Sequence, residues 1–204
     1  MKLRGTIAFA AGFAVTLALG WLAFPRMLYR ARQQPLQFNH KLHTGDKVGY
    51  KCADCHSLGA DGRFSGIPGV ATCAGCHAEP VTQSAEERRL VNEYVKPNRE
   101  IPWLVYSRQP ENARFPHAVH IQLAHLNCEQ CHGGHGRSER LRTYYEDRVN
   151  GYSRDVWGPQ LVRAGYRAAP QAHSGDEPSP MKMDDCIACH RTKGLEMACL
   201  ACHK

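Results

Sequence analysis

The sequence predicts one N-terminal membrane-spanning helix followed by a domain of short helices and coil with little β-sheet. Three observations predict it. An uncharged apolar run extends from Gly5 to Phe24. All ten cysteines fall in five C-x-x-C pairs, and each pair is followed at once by histidine. Finally, 43% of the 204 residues are hydrophobic but only 8% aromatic, which promises a modest side-chain core, so something else must fill much of the interior.

The anchor comes first. Lys2 and Arg4 precede the run, and twenty residues at a rise of ~1.5 Å reach across a hydrocarbon layer of ~30 Å. A cleaved secretory leader is the competing reading, with Ala18-Leu19-Gly20 as its small-residue cleavage site. The run continues past that site through Trp21 and Phe24, so residues 1–30 are expected to remain as anchor and juxtamembrane segment. Arg26, Arg30 and Arg32 outnumber the two charges before the span, but a long domain crosses the membrane despite such flanks.

The five motifs are "CADCH" (Cys52–His56), "CAGCH" (Cys73–His77), "CEQCH" (Cys128–His132), "CIACH" (Cys186–His190) and "CLACH" (Cys199–His203). C-x-x-C-H is the attachment signature of c-type haem. Two thiols add across the vinyl groups, and the adjoining imidazole is offered to the iron. Disulfides would not require the histidines. A zinc ribbon is a closer rival, because Cys52, Cys55, Cys73 and Cys76 have suitable spacing. A thioredoxin-like site needs a βαβ setting that is not visible. Histidine is 12 of 204 residues, so five chance placements have odds of roughly one in a million.

Five covalent haem c groups are therefore expected. They would be held by Cys52 and Cys55, Cys73 and Cys76, Cys128 and Cys131, Cys186 and Cys189, and Cys199 and Cys202. His56, His77, His132, His190 and His203 would be the proximal ligands. Haems at a density of one per about 35 residues supply the missing apolar interior, giving a haem-packed domain. The formal charge of +7 does not point to nucleic acid, since each haem with two ionised propionates adds about −1 when ferric and −2 when ferrous. Covalent haem attachment takes place outside the cytoplasmic membrane, so the domain is expected on its periplasmic or outer face.

Beyond the anchor the chain divides into a dihaem module at 31–80, a linker at 81–114 and a trihaem module at 115–204. The modules open with "FNHKLH" (Phe38–His43) and "FPHAVH" (Phe115–His120), an internal echo of the form F-x-H-x-x-H. In the linker, Ser84 and Glu87 form a capping-box pattern ahead of a helix that stops at Pro97. Its Leu90, Val91, Tyr94 and Val95 share one face and are expected to pack. Residues 133–185 form a long polar insertion read as surface structure and a docking loop.

F-x-H-x-x-H ahead of C-x-x-C-H resembles the class III multihaem cytochromes. That resemblance implies distal ligands: His40 for the haem of His56, His43 for that of His77, His117 for that of His132 and His120 for that of His190. The haem of His203 would take Met183, three residues before Cys186. His125 has the same offset before Cys128. His135 is read as a partner for a propionate or a ligand to a sixth, non-covalent haem, and His173 as an exposed loop residue.

An anchor, two motifs, a linker containing "EIPWLVYS" and three further motifs are together similar to two related families. These are the membrane-anchored pentahaem cytochrome subunits of alternative complex III and the related cytochromes of the menaquinone reductase complex of sulfate reducers. The resemblance covers residues 1–132 and 181–204. It implies an iron–sulfur subunit of molybdopterin-oxidoreductase type, a polytopic quinone-binding membrane subunit and a periplasmic electron carrier as partners. With every iron six-coordinate there is no open position for substrate. The expected role is thus electron relay without catalysis of its own. A stand-alone quinol dehydrogenase and a multihaem reductase are the alternatives. Motifs close to the span would favour the first and an open iron the second, and the sequence displays neither.

Overall fold

The computed structural model describes residues 2–60, 62, 66–157, 182–195 and 199–203. Its apolar run is one helical segment. Helix α1 (Lys2–Ala18) passes through a π turn at Leu19–Ala23 into α2 (Phe24–Met27). Pro25 has no N–H to donate four residues back, and the widened turn just ahead of it absorbs that loss. Thr16 Oγ1 donates to Gly12 O at 2.8 Å, which satisfies the hydroxyl within the helix. None of the stretch Arg4–Ala23 is buried by the rest of the chain. Phe9, Phe13, Leu17 and Trp21 are each more than half exposed. Burying such a side chain is worth about 1.5–3 kcal/mol, so this surface is compatible with a membrane anchor.

The chain leaves the anchor as strand β1 (Tyr29–Arg32), which pairs antiparallel with β2 (Tyr144–Asp147), Tyr29 opposite Asp147 and Arg32 opposite Tyr144. Arg30 and Arg32 both bond Glu146 across the pair. This two-stranded ribbon is the sheet of the described residues, in line with the expected helix-and-coil fold. The first described stretch of the 133–185 insertion, residues 133–157, is tied into the body at four points: Leu141, Tyr144, Asp147 and Ser153 are all buried. Asp147 Oδ1 accepts from the N–H groups of Val149 and Asn150, so a polar composition here reflects internal turn bonding and not a free surface loop.

The remaining elements are short. Helices α3 (His40–Thr44), α4 (Cys52–Cys55), α5 (Val70–His77), α6 (Ala85–Leu90), α7 (Cys128–His132), α8 (Arg154–Trp157) and α9 (Met183–Thr192) lie among turns and coil. Three motif helices open with the same device, in which the residue before the helix donates its N–H to the side chain three residues on. The pairs are Lys51 with Asp54 at 2.7 Å, Asn127 with Gln130 at 2.8 Å, and Lys182 with Asp185 at 2.8 Å. That satisfies an otherwise orphaned donor at each helix start.

The side-chain core is small and sits where the sequence was divided into module and linker. Leu36, Val70, Tyr94 and Ile101 are buried together, with Leu90, Val95 and Trp103 packed against them. Val91 is fully enclosed. Helix α6 and the π turn at Val91–Val95 thus supply the packing face expected of them, but against α5 of the first module, so 81–114 is part of the body. Ser84 caps α6, its hydroxyl accepting from Glu87 N at 3.5 Å. At Gly62 the backbone is left-handed (φ 74°), and a Cβ there would lie 3.0 Å from that of Ala118. Ala118 N donates to Gly62 O at 3.3 Å. Only glycine allows the loop after α4 to approach the second F-x-H-x-x-H so closely.

Candidate haem-binding histidine array

The two F-x-H-x-x-H segments are alike in three dimensions. Phe38 stacks on His43 (4.4 Å between ring centres) and meets His40 edge-on at 4.8 Å. Phe115 stacks on His120 at 4.3 Å and meets His117 edge-on at 4.8 Å. One phenyl ring therefore orients two imidazoles in each segment. His43 Nδ1 bonds Asn39 O at 2.8 Å and His120 Nδ1 bonds Pro116 O at 3.0 Å. Since a carbonyl only accepts, Nδ1 carries the proton and the Nε2 lone pair is left available to a metal.

The same chemistry recurs in the motifs. His56 Nδ1 donates to Gly66 O at 3.0 Å, and His77 Nδ1 to the carboxylate of Glu87 at 2.8 Å. Glu87 is 8% exposed and also accepts from the N–H groups of Val81 and Thr82 and from the Thr82 hydroxyl. Burial alone would raise its pKa, but the bonds from Thr82, Val81 and His77 hold it down at about 2. Expected as a helix-capping residue, Glu87 instead orients the motif histidine His77 with a full negative charge. The capping pattern of the sequence concealed this role. A glutamate ten residues after a ligand carries no spacing signature of its own.

Imidazoles far apart in sequence face each other. His117 and His132 are parallel to within 5° at 6.4 Å. His120 and His190 are parallel to within 10° at 5.9 Å. His43 and His77 lie 6.3 Å apart at 55°. Two metal–nitrogen bonds of about 2 Å plus about 1.1 Å from each nitrogen to its ring centre come to roughly 6 Å. The residues present therefore fit an iron held between each pair.

His40 is placed differently. Its ring packs 4.5 Å from that of His135, and its Nδ1 lies 3.4 Å from Ser138 Oγ. Burial, then His135, His56 and His43 in turn, lower its pKa to about 3, so it is neutral with a lone pair to offer. His135 is likewise held at about 4, by burial first and then by Arg142. His135, one of the spare histidines of the sequence, thus belongs to the array. His125 is exposed and left-handed at φ 52°. Met183 begins α9 at 55% exposure, and His203 forms an isolated backbone bridge with Ala113. His173 lies outside the described residues.

No disulfide joins any of the ten cysteines. Burial pushes Cys186 up to about 11 and raises Cys55, Cys73, Cys128 and Cys131 as well. A thiol–disulfide redox site needs the opposite shift. Neighbouring motifs also raise one another, after burial: Cys55 acts on Cys73, Cys52 on Cys128, Cys189 on Cys131, and Cys131 and Cys202 on Cys186. The C-x-x-C-H motifs are therefore neighbours in pairs: Cys73 with Cys55, Cys128 with Cys52, Cys131 with Cys189, and Cys186 with Cys202. Among the described residues no three His, Cys, Asp or Glu side chains converge as a metal cage.

Residues 23–100 match the Class III cytochrome C family. The chain is also 36% identical, over 98% of its own length and 90% of the relative's, to the protein named menaquinone reductase, multihaem cytochrome c subunit, of Nitratidesulfovibrio vulgaris strain Hildenborough. That similarity extends through the region after residue 132, beyond the part where resemblance was expected from the motifs.

Proposed function

Because the chain belongs to the class III multihaem cytochromes c, and shares nearly its whole length with a menaquinone reductase subunit, we propose that it is the membrane-anchored electron relay of a menaquinone-linked complex. The observation that carries this reading is the set of paired imidazoles, His117 with His132, His120 with His190 and His43 with His77, each at a separation that suits an iron between them. Covalently bound haem c supplies one-electron chemistry at iron. The chain's own residues do the rest. We assign five haems, one to each motif, with His43, His117 and His120 opposite His77, His132 and His190. His40, supported by His135, serves the side opposite His56, and Met183 serves the iron of His203. With two of these side chains given to each iron, no position would be left for substrate, which favours relay over reductase chemistry.

The near-full-length relative favours the menaquinone reductase branch over alternative complex III. In this reading the haem domain lies on the periplasmic face. Its partners are an iron–sulfur subunit of molybdopterin type, a polytopic quinone-binding subunit and a periplasmic carrier. Purification tests it: the protein should leave membranes only with detergent and bring those subunits with it in fixed ratio. Release by salt alone, as a free monomer, would contradict it.

Met183 carries a separate prediction. A thioether donates more weakly than imidazole and favours ferrous iron, so the haem of His203 should have the highest potential of the chain. Met183→Ala should open one iron to carbon monoxide, and Met183→His should keep it low-spin while lowering one potential. Unchanged carbon monoxide reactivity in the alanine variant would transfer the assignment to His125.

A further inference from the structure

Beside the histidine array lies a pocket of about 450 Å³ whose use is not explained by iron ligation. Its walls include Arg140, Arg142 and Arg154 from the described part of the 133–185 segment, Gln37 from the opposite side, and Ser138 and His135 at the end nearest His40. No lining residue is acidic. Three guanidinium groups around one cavity repel one another, a cost that an anionic occupant would offset.

The three arginines are held in different ways. The guanidinium of Arg142 is fixed on one side by Asp155, with Nη2 to Oδ2 at 2.7 Å, and lies over the Tyr106 ring at 4.4 Å. Its Nε is buried and has no hydrogen-bond partner. A buried donor left unmade costs about 1–3 kcal/mol, more when charged. Arg154 is laid over Tyr145 at 4.0 Å. Arg140 has no ion pair among the described residues. Two of the three are thus positioned in advance, Arg142 by Asp155 and the Tyr106 ring and Arg154 by the Tyr145 ring.

Planar forks of this kind match carboxylates. We propose that the Arg140–Arg142–Arg154 pocket is a carboxylate-binding site, its donors the guanidinium groups of these three lining arginines. Two sources offer that chemistry: the propionate edge of the haem adjoining His40 and His135, which rests on the haem assignment above, or a free dicarboxylate. In the first case the pocket is a positioning site that keeps a propionate ionised and so sets the charge around one iron.

The test uses the full chain in mild detergent, with haem content measured on the same samples, and compares it with Arg142→Gln and Arg140→Gln. The second variant breaks no ion pair and so tests the pocket even if loss of the Arg142–Asp155 contact disturbs folding. If the haem edge fills the pocket, both variants keep full haem content. One reduction potential falls, because a cation near the iron has been removed, and that potential gains a pH dependence absent from the native protein. If a free dicarboxylate fills it, potentials stay put, but succinate stabilises the native protein against heat saturably, and this stabilisation is lost in the variants. Full haem content with unmoved potentials and no succinate effect would overturn the site. A native chain lacking haem would defeat the relay reading instead, while the succinate arm would still decide the pocket.

Discussion

His117→Ala is expected to convert one iron per chain from low to high spin and open it to carbon monoxide, leaving the others as they were. His117 faces His132 in parallel at 6.4 Å and is half-buried, its pKa lowered by burial and then by His132 and His120. It is therefore a neutral imidazole whose ring lies parallel to that of His132. Truncation to alanine leaves no donor at that point, and Phe115, which meets His117 edge-on, has none to offer. His117→Met should restore the low-spin state and raise that one potential, since thioether replaces imidazole. Carbon monoxide binding is read by absorbance on the reduced protein. An alanine variant that binds none would remove His117 from the array.

Glu87→Gln is expected to raise one potential, that of the haem assigned to His77. A carboxylate accepting from Nδ1–H makes the imidazole a stronger donor and stabilises ferric iron. A neutral amide does so less. If half of a charged hydrogen bond of about 3 kcal/mol distinguishes the two oxidation states, the shift is on the order of 59 mV, the one-electron equivalent of a tenfold change. The variant should also lose stability, because the N–H groups of Val81 and Thr82 and the Thr82 hydroxyl all give to the same carboxylate. Its pKa, lowered from 4.5 to about 2, means that the contribution is complete above the ordinary carboxylate range. It fades only as pH falls toward 2. Glu87→Gln should flatten that part of the acid-unfolding curve, and unchanged potentials would show that Glu87 serves only the loop.

The sequence disclosed much of this because haem attachment has a local signature. Two cysteines and a histidine must sit on one helical turn, so Cys128, Cys131 and His132 can be recognised without any fold. The echo of Phe38-to-His43 in Phe115-to-His120 is equally local, since one phenyl ring orients imidazoles two and five positions on. Glu87 was read from its helical position because its actual partner, His77, belongs to the preceding helix. His135 had no pattern, and only the folding of residues 133–138 against α3 brings it to His40. Arg142, in a segment whose polarity suggested surface, gains its meaning from Tyr106 and Asp155, neither of which is adjacent to it. Buried charge in a loop looks like solvated charge until its neighbours are known.

Five irons per chain, each given two of the chain's own ligands, would all be low-spin when ferric. Low-temperature electron paramagnetic resonance of the fully oxidised protein, integrated against chain concentration, measures this. Five low-spin ferric centres per chain and no high-spin component are expected. A high-spin signal amounting to one iron per chain in the intact protein would mean an open coordination site, contradicting the relay and reviving a reductase.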